Sequence, residues 1–180
     1  MGIASYNEYR TTIQSTLAPL AQEDALRFCL WCIGRIEEEF GEIVWDSLSP
    51  DESRSLRGMI AELQQACTQR SMLPADRAGV LQAQLEHFGP QDPEAAIEVE
   101  PDGIEFRGAV WHTLELCRRA DMAAACAVSE KLVNCWDYRV DMREHAGYTL
   151  DTMFTHPPLR RELELQCAYA VSLASPGPPN

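Results

Sequence analysis

The side chains best suited to chemistry in this chain are seven cysteines, four histidines and 28 acidic residues, and their spacing decides what each can do. Cys29 and Cys32 flank Leu30-Trp31 with the separation of a thiol redox pair or half a zinc site. A redox pair needs its first thiolate at a helix N-terminus, and structural zinc needs a second pair or histidines at similar spacing. Here the pair falls in the middle of a helical pattern, and the other cysteines stand apart at 67, 117, 126, 135 and 167, so we read all seven as small core side chains. The histidines at 87, 112, 145 and 156 form neither H-E-x-x-H nor E-x-x-H, which removes the helical zinc and di-iron signatures. No serine stands in G-x-S-x-G, and no glycine-rich phosphate loop occurs. Asp137 and Asp141, one helical turn apart, would suit a divalent ion or proton transfer if a third ligand joined them. Arg139 and Arg143 interleave them, and such alternation reads as a solvated, ion-paired helix face. The expectation is a protein that is not an enzyme and uses no metal or cofactor.

Carboxylate density remains as the strongest signal. One cluster, Glu37, Glu38, Glu39, Glu42 and Asp46, falls at the end of a predicted helix, where negative charge opposes the helix dipole and brings no local stability. A second, Asp92, Glu94, Glu98, Glu100, Asp102 and Glu105, falls in a stretch flanked by Pro93 and Pro101 that reads as a loop, the kind of segment that displays binding residues. With 15 basic residues against 28 acidic, the net charge is −13. Such a surface repels nucleic acid and anionic membranes and attracts basic proteins, most strongly if the two clusters lie side by side.

The elements that must position these clusters are helices. Apolar residues recur with three-and-four spacing almost throughout, and strand-like alternation is scarce. The periodicity predicts helices over about 5–17, from Pro19 to Gly41, from Ser49 to Gln69, from Pro74 to Phe88, from Ile104 to Arg119, from Asp121 to about Glu144, and from Pro157 to Ala174, with a further short turn near Leu150. Ser49-Pro50-Asp51-Glu52 has the form of a capping box, and Asp121 that of a cap. Alanines at 123, 124, 125 and 127 mark the sixth of these as the central element, since small side chains let a neighbour approach. The fold class expected is all-α, one bundle-like domain of six to eight helices over 1–174, followed by a disordered, proline-rich tail over 175–180. The N-terminus lacks a basic region followed by an apolar run, and no segment approaches about 18 apolar residues, so a cytoplasmic location is expected.

Three segments carry a resemblance: Ala25-Leu26-Arg27-Phe28-Cys29-Leu30-Trp31-Cys32-Ile33-Gly34-Arg35, then Gly108-Ala109-Val110-Trp111-His112-Thr113-Leu114-Glu115-Leu116-Cys117, then Ala127-Val128-Ser129-Glu130. In order and separation they resemble the bacterial all-helical YjaG-like proteins of unknown function and the related all-α immunity proteins of polymorphic toxin systems. Ile36-Glu37-Glu38-Glu39-Phe40 departs from that pattern, which would continue with an arginine and a proline-containing turn. The resemblance implies a cytoplasmic inhibitor that binds a cognate toxin domain, occludes its active site, and uses aromatic anchors such as Trp45, Trp111 or Tyr138. The alternative, from a different class, is a helical scaffold or regulatory adaptor for a non-toxin partner.

Overall fold

Seven helices, and no strand, make up the regular structure among the residues described by the computed structural model, which are 3, 5–88, 101–144 (side chains through 139) and 156–175. They are α1 (Tyr6–Leu17), α2 (Gln22–Asp46), α3 (Pro50–Thr68), α4 (Ala75–Leu85), α5 (Pro101–Arg119), α6 (Met122–Glu144) and α7 (Pro157–Ala174). The segments at 89–100, 145–155 and 176–180 lie outside the described residues, and with them the turn expected near Leu150 and most of the expected tail.

Local capping chemistry sets several boundaries. The Ser49 hydroxyl accepts from the Glu52 amide and the Glu52 carboxylate accepts from the Ser49 amide, with Pro50 at the first helical position, so α3 opens on a complete capping box. Ser5 caps α1 through the Glu8 amide, and Asp121 accepts from the Ala123 amide at the start of α6. At the other end of α3, Arg70 turns into the left-handed region with φ 51° while the Ser71 amide reaches back to the Ala66 carbonyl. Ala120 ends α5 in the same conformation, at φ 57°.

Gly41, expected to end the second helix, lies inside α2 instead. A glycine in a helix costs about 1 kcal/mol. The apolar stripe outweighs it, because Ile36, Phe40 and Val44 continue the buried face begun by Ala25, Phe28, Cys29, Cys32 and Ile33, and each fully buried large side chain stabilises by about 1.5–3 kcal/mol.

The core is assembled around α5 and α6 together, not α6 alone. They pack most extensively on each other, α5 also against α2, α3 and α4, and α6 also against α1, α2 and α7, where it buries Ala124, Ala125, Val128, Leu132, Val133 and Cys135. A helix covered on several sides has no single apolar stripe, and the alanines admit these close neighbours. No described helix is long and apolar enough to cross a membrane.

Candidate functional site

The extension of α2 past Gly41 changes what its acidic cluster can do. Arg35, Glu38, Glu39, Glu42 and Asp46 stand at i, i+3, i+4, i+7 and i+11, which is one face of one helix. Arg35 is the hub. Its guanidinium donates to Glu38 Oε2 at 2.5 Å and Glu39 Oε1 at 2.7 Å on its own helix, and to Glu162 Oε2 at 2.8 Å on α7. Glu38 is 68% exposed and Glu39 33%, whereas Glu162 is 1% exposed. Burial works against the Arg35 charge, but its hydrogen bonds to these carboxylates raise its pKa overall. Burial also pushes the Glu162 carboxyl above its ordinary value, against the pull of Arg35 and with a further push from Glu39. One guanidinium therefore serves three carboxylates. Glu42 and Asp46 are exposed and form no ion pair among the described residues. The face stays negative. Glu37 lies on the opposite side of α2, half-buried, its carboxyl raised by burial and lowered by Arg57.

The second cluster divides. Asp92, Glu94, Glu98 and Glu100 lie outside the described residues. Asp102 and Glu105, expected on a displayed loop, belong to α5, which begins at Pro101, and they are 3% and 6% exposed. They are met by α6: Arg139 donates to Asp102, Lys131 to Glu105 Oε2 at 2.9 Å, and Asn134 to the same oxygen at 3.1 Å. Arg139 is accordingly not part of a solvated face of alternating charge, because it turns inward to Asp102 and over the Phe40 ring, 5.7 Å from its centroid. The side chains of Asp141 and Arg143 lie outside the described ones.

The helices that carry the two clusters adjoin at one described point. Gly103 sits so tightly against Ser47 that an added Cβ would overlap the Ser47 hydroxyl. These residues directly follow Asp102 and Asp46, so the end of α2 and the start of α5 adjoin.

The remaining reactive side chains that are described are mostly buried. The Cys29 and Cys32 thiols are fully buried in α2, and burial pushes both well away from thiolate formation. Cys117 and Cys167 are raised to about 11, also by burial. His112 is held below its ordinary value by burial and by Lys131. No group of three or more metal-ligating side chains occurs among the described residues. Of the suggested anchors, Trp45 is partly buried with Arg57 3.8 Å above its ring and Phe106 at its edge, Trp111 is partly buried, and Tyr138 is 39% exposed.

Glu162 escaped the sequence reading although a signal was present. On α7 it falls among Leu159, Leu163, Gln166 and Ala170, the buried positions of that helix. A carboxylate on an apolar stripe demands a buried partner. Gln166 obeys the same logic and accepts a 2.7 Å hydrogen bond from the Tyr9 hydroxyl.

No known family, curated protein or solved structure matches this chain.

Proposed function

We propose that this protein is an immunity-type inhibitor that binds a basic toxin domain and blocks its active site or substrate entry, with the α2 face as the docking surface. The observation that carries this reading is the excess negative charge there: Glu38, Glu39, Glu42 and Asp46 project from one side of one helix, with Arg35 among them partly claimed by Glu162 and with Arg161 of α7 the neighbouring cation. A rigid row of carboxylates makes a directional field that draws a basic groove into register and speeds encounter. The chemistry is occlusion. The inhibitor contributes shape and charge, and the partner keeps its catalytic groups but loses access to substrate. The resemblance to immunity proteins supports the same reading.

The test is co-expression with the product of the adjacent gene. That product alone should arrest growth, and this protein should restore it. The double variant Glu42→Lys/Asp46→Lys should abolish rescue and remove the salt-sensitivity of the complex, since exposed charges act over about 8–10 Å at ordinary ionic strength. Reversal of the exposed Asp76 and Glu86 at α4 should leave rescue intact. Rescue indifferent to the α2 reversal would overturn the reading. A neighbour that binds but is harmless would favour the adaptor alternative.

A further inference from the structure

A cavity of about 470 Å³ lies where α2, α6 and α7 come together, immediately beside the acidic face of α2, and its size is within the range of small-ligand sites, about 300–1,000 Å³. Two of the side chains lining it hold buried polar atoms of opposite kind without a hydrogen-bond partner: Oε1 of Glu162, an acceptor, and Nε1–H of Trp136, a donor. Gln166, one turn along α7, is the neighbour that helps lower the Glu162 pKa, and its Nε2, like Oε1 of Glu162, is buried without a hydrogen bond of normal geometry. Buried polar groups are satisfied in the great majority of cases, and two orphans on one cavity ask for a partner from outside the chain.

The lining chooses among ligand chemistries. An anion would have to win Arg35 from the three carboxylates that already hold it. A cation would share those carboxylates with Arg35, which leaves one oxygen of each unused, beside Trp136 and with Pro157 and Leu165 as apolar wall. Arg161, exposed on α7, stands among the lining residues and can turn to solvent.

We propose that this cavity receives an arginine side chain of the protein partner, its guanidinium shared between Glu162 and Glu39, and its main-chain carbonyl accepting from the Trp136 indole. The assignment rests on the inhibitor reading above and names the anchor within it. A planar guanidinium pairs with carboxylates through two parallel hydrogen bonds, sheds water more readily than an ammonium, and stacks on an indole. The carbonyl accounts for the second orphan, which a cation alone would leave unmet. The α2 face would guide the partner at long range, and the buried arginine would hold it, as a few desolvated anchors do in most interfaces.

The test needs no partner. N-acetyl-arginine methylamide and its neutral citrulline counterpart are titrated into the ¹⁵N-labelled full chain while the indole N–H signals of its four tryptophans are followed. Arginine should shift one indole signal to saturation, and that signal should be missing from Trp136→Phe. Glu39→Gln and Glu162→Gln should each weaken binding about tenfold, and Glu39→Gln carries the test alone if the buried substitution unfolds the chain. Equal shifts with citrulline, shifts spread over all four indoles, or no shift at tens of millimolar would overturn the proposal. Failure here with rescue still dependent on Glu42 and Asp46 would leave the inhibitor reading standing without this anchor. Arginine binding in a protein that rescues no neighbour would do the reverse.

Discussion

Acidic residues play opposite parts in two adjoining regions of this protein. Along the α5–α6 seam, Asp102 and Glu105 are buried and each is met by a cation from the facing helix. On the α2 face, Glu38, Glu39, Glu42 and Asp46 are largely exposed around a guanidinium that also serves Glu162. The sequence presents both as runs of negative charge. Burial separates them, because a charge removed from water must be paired inside the protein whereas one left in water remains available to something outside. The seam fixes how two helices sit together, and the face is free to recruit.

The strongest way to break the comparison is to remove one partner from the seam. Arg139→Ala would leave Asp102 buried and uncompensated, a loss that costs about 3–5 kcal/mol for fully buried pairs. Arg139 itself is 25% exposed, so the lower end, about 3 kcal/mol, is expected as a fall in the urea midpoint at unchanged slope. The paired change Asp102→Leu/Arg139→Met should recover most of it, because Asp102 Oδ1 and Arg139 Nε make no hydrogen bond and the native pair is incompletely satisfied. A single variant as stable as the parent would show that the seam is no more buried in effect than the α2 face.

The next prediction concerns the junction of the two regions. In Gly103→Ala the new methyl overlaps the Ser47 hydroxyl, so either that hydroxyl leaves its hydrogen bond to the Val44 carbonyl or the end of α2 and the start of α5 part, at about 1–3 kcal/mol for an overpacked site. Adding Ser47→Gly removes both atoms that crowd it and should restore most of the loss, leaving only the helix-end cost of glycine. If Gly103→Ala is neutral by thermal melting, the Ser47 side chain absorbs the methyl and the contact does not hold the two helix ends in fixed relation.

Much of the fold was legible, and the reasons differ by residue. The capping box at Ser49 and the cap at Asp121 are local chemistry, complete within four residues of sequence, and both formed as read. Gly41 misled because a glycine is a weak stop signal when Phe40 and Val44 keep the stripe buried on either side of it. Asp102 and Arg139 misled for a deeper reason. Their partnership spans 37 positions, and nothing near either residue announces it. Glu162 was readable in principle as a carboxylate on the buried stripe of α7, but its partner Arg35 is 127 positions away. The candidate site was therefore legible in its charge and not in its division into buried and free carboxylates.

Glu162 stands between the two regimes, buried like the seam yet serving the face, and pH should expose this. Burial holds its carboxyl above the ordinary 4.5, so over the interval from there up to its raised value the folded protein keeps a proton that the unfolded chain has released. Its contribution is fully favourable below the ordinary value and is lost as pH rises through the folded one. Glu162→Gln has no such titration. Relative to the parent, that variant should gain stability as urea midpoints are compared from pH 4 upward, the pull of Arg35 being already contained in the raised value. Parallel pH profiles for the two proteins would mean that Glu162 titrates as an exposed carboxylate does.

The smallest expected effect is the most telling about the face. Asp46 closes α2 in its last turn, with no basic residue there to offset it, so it opposes the dipole of its own helix. Asp46→Asn should raise stability by about 0.3 kcal/mol, and Glu42→Gln, exposed and unpaired, should change it by less than about 0.5 kcal/mol. Both should weaken capture of the basic partner despite leaving the fold as stable or more so. A residue that is better replaced for folding and worse replaced for binding is there for the binding. If instead Asp46→Asn destabilises the protein, its carboxylate has an internal duty, and the α2 face is a second seam.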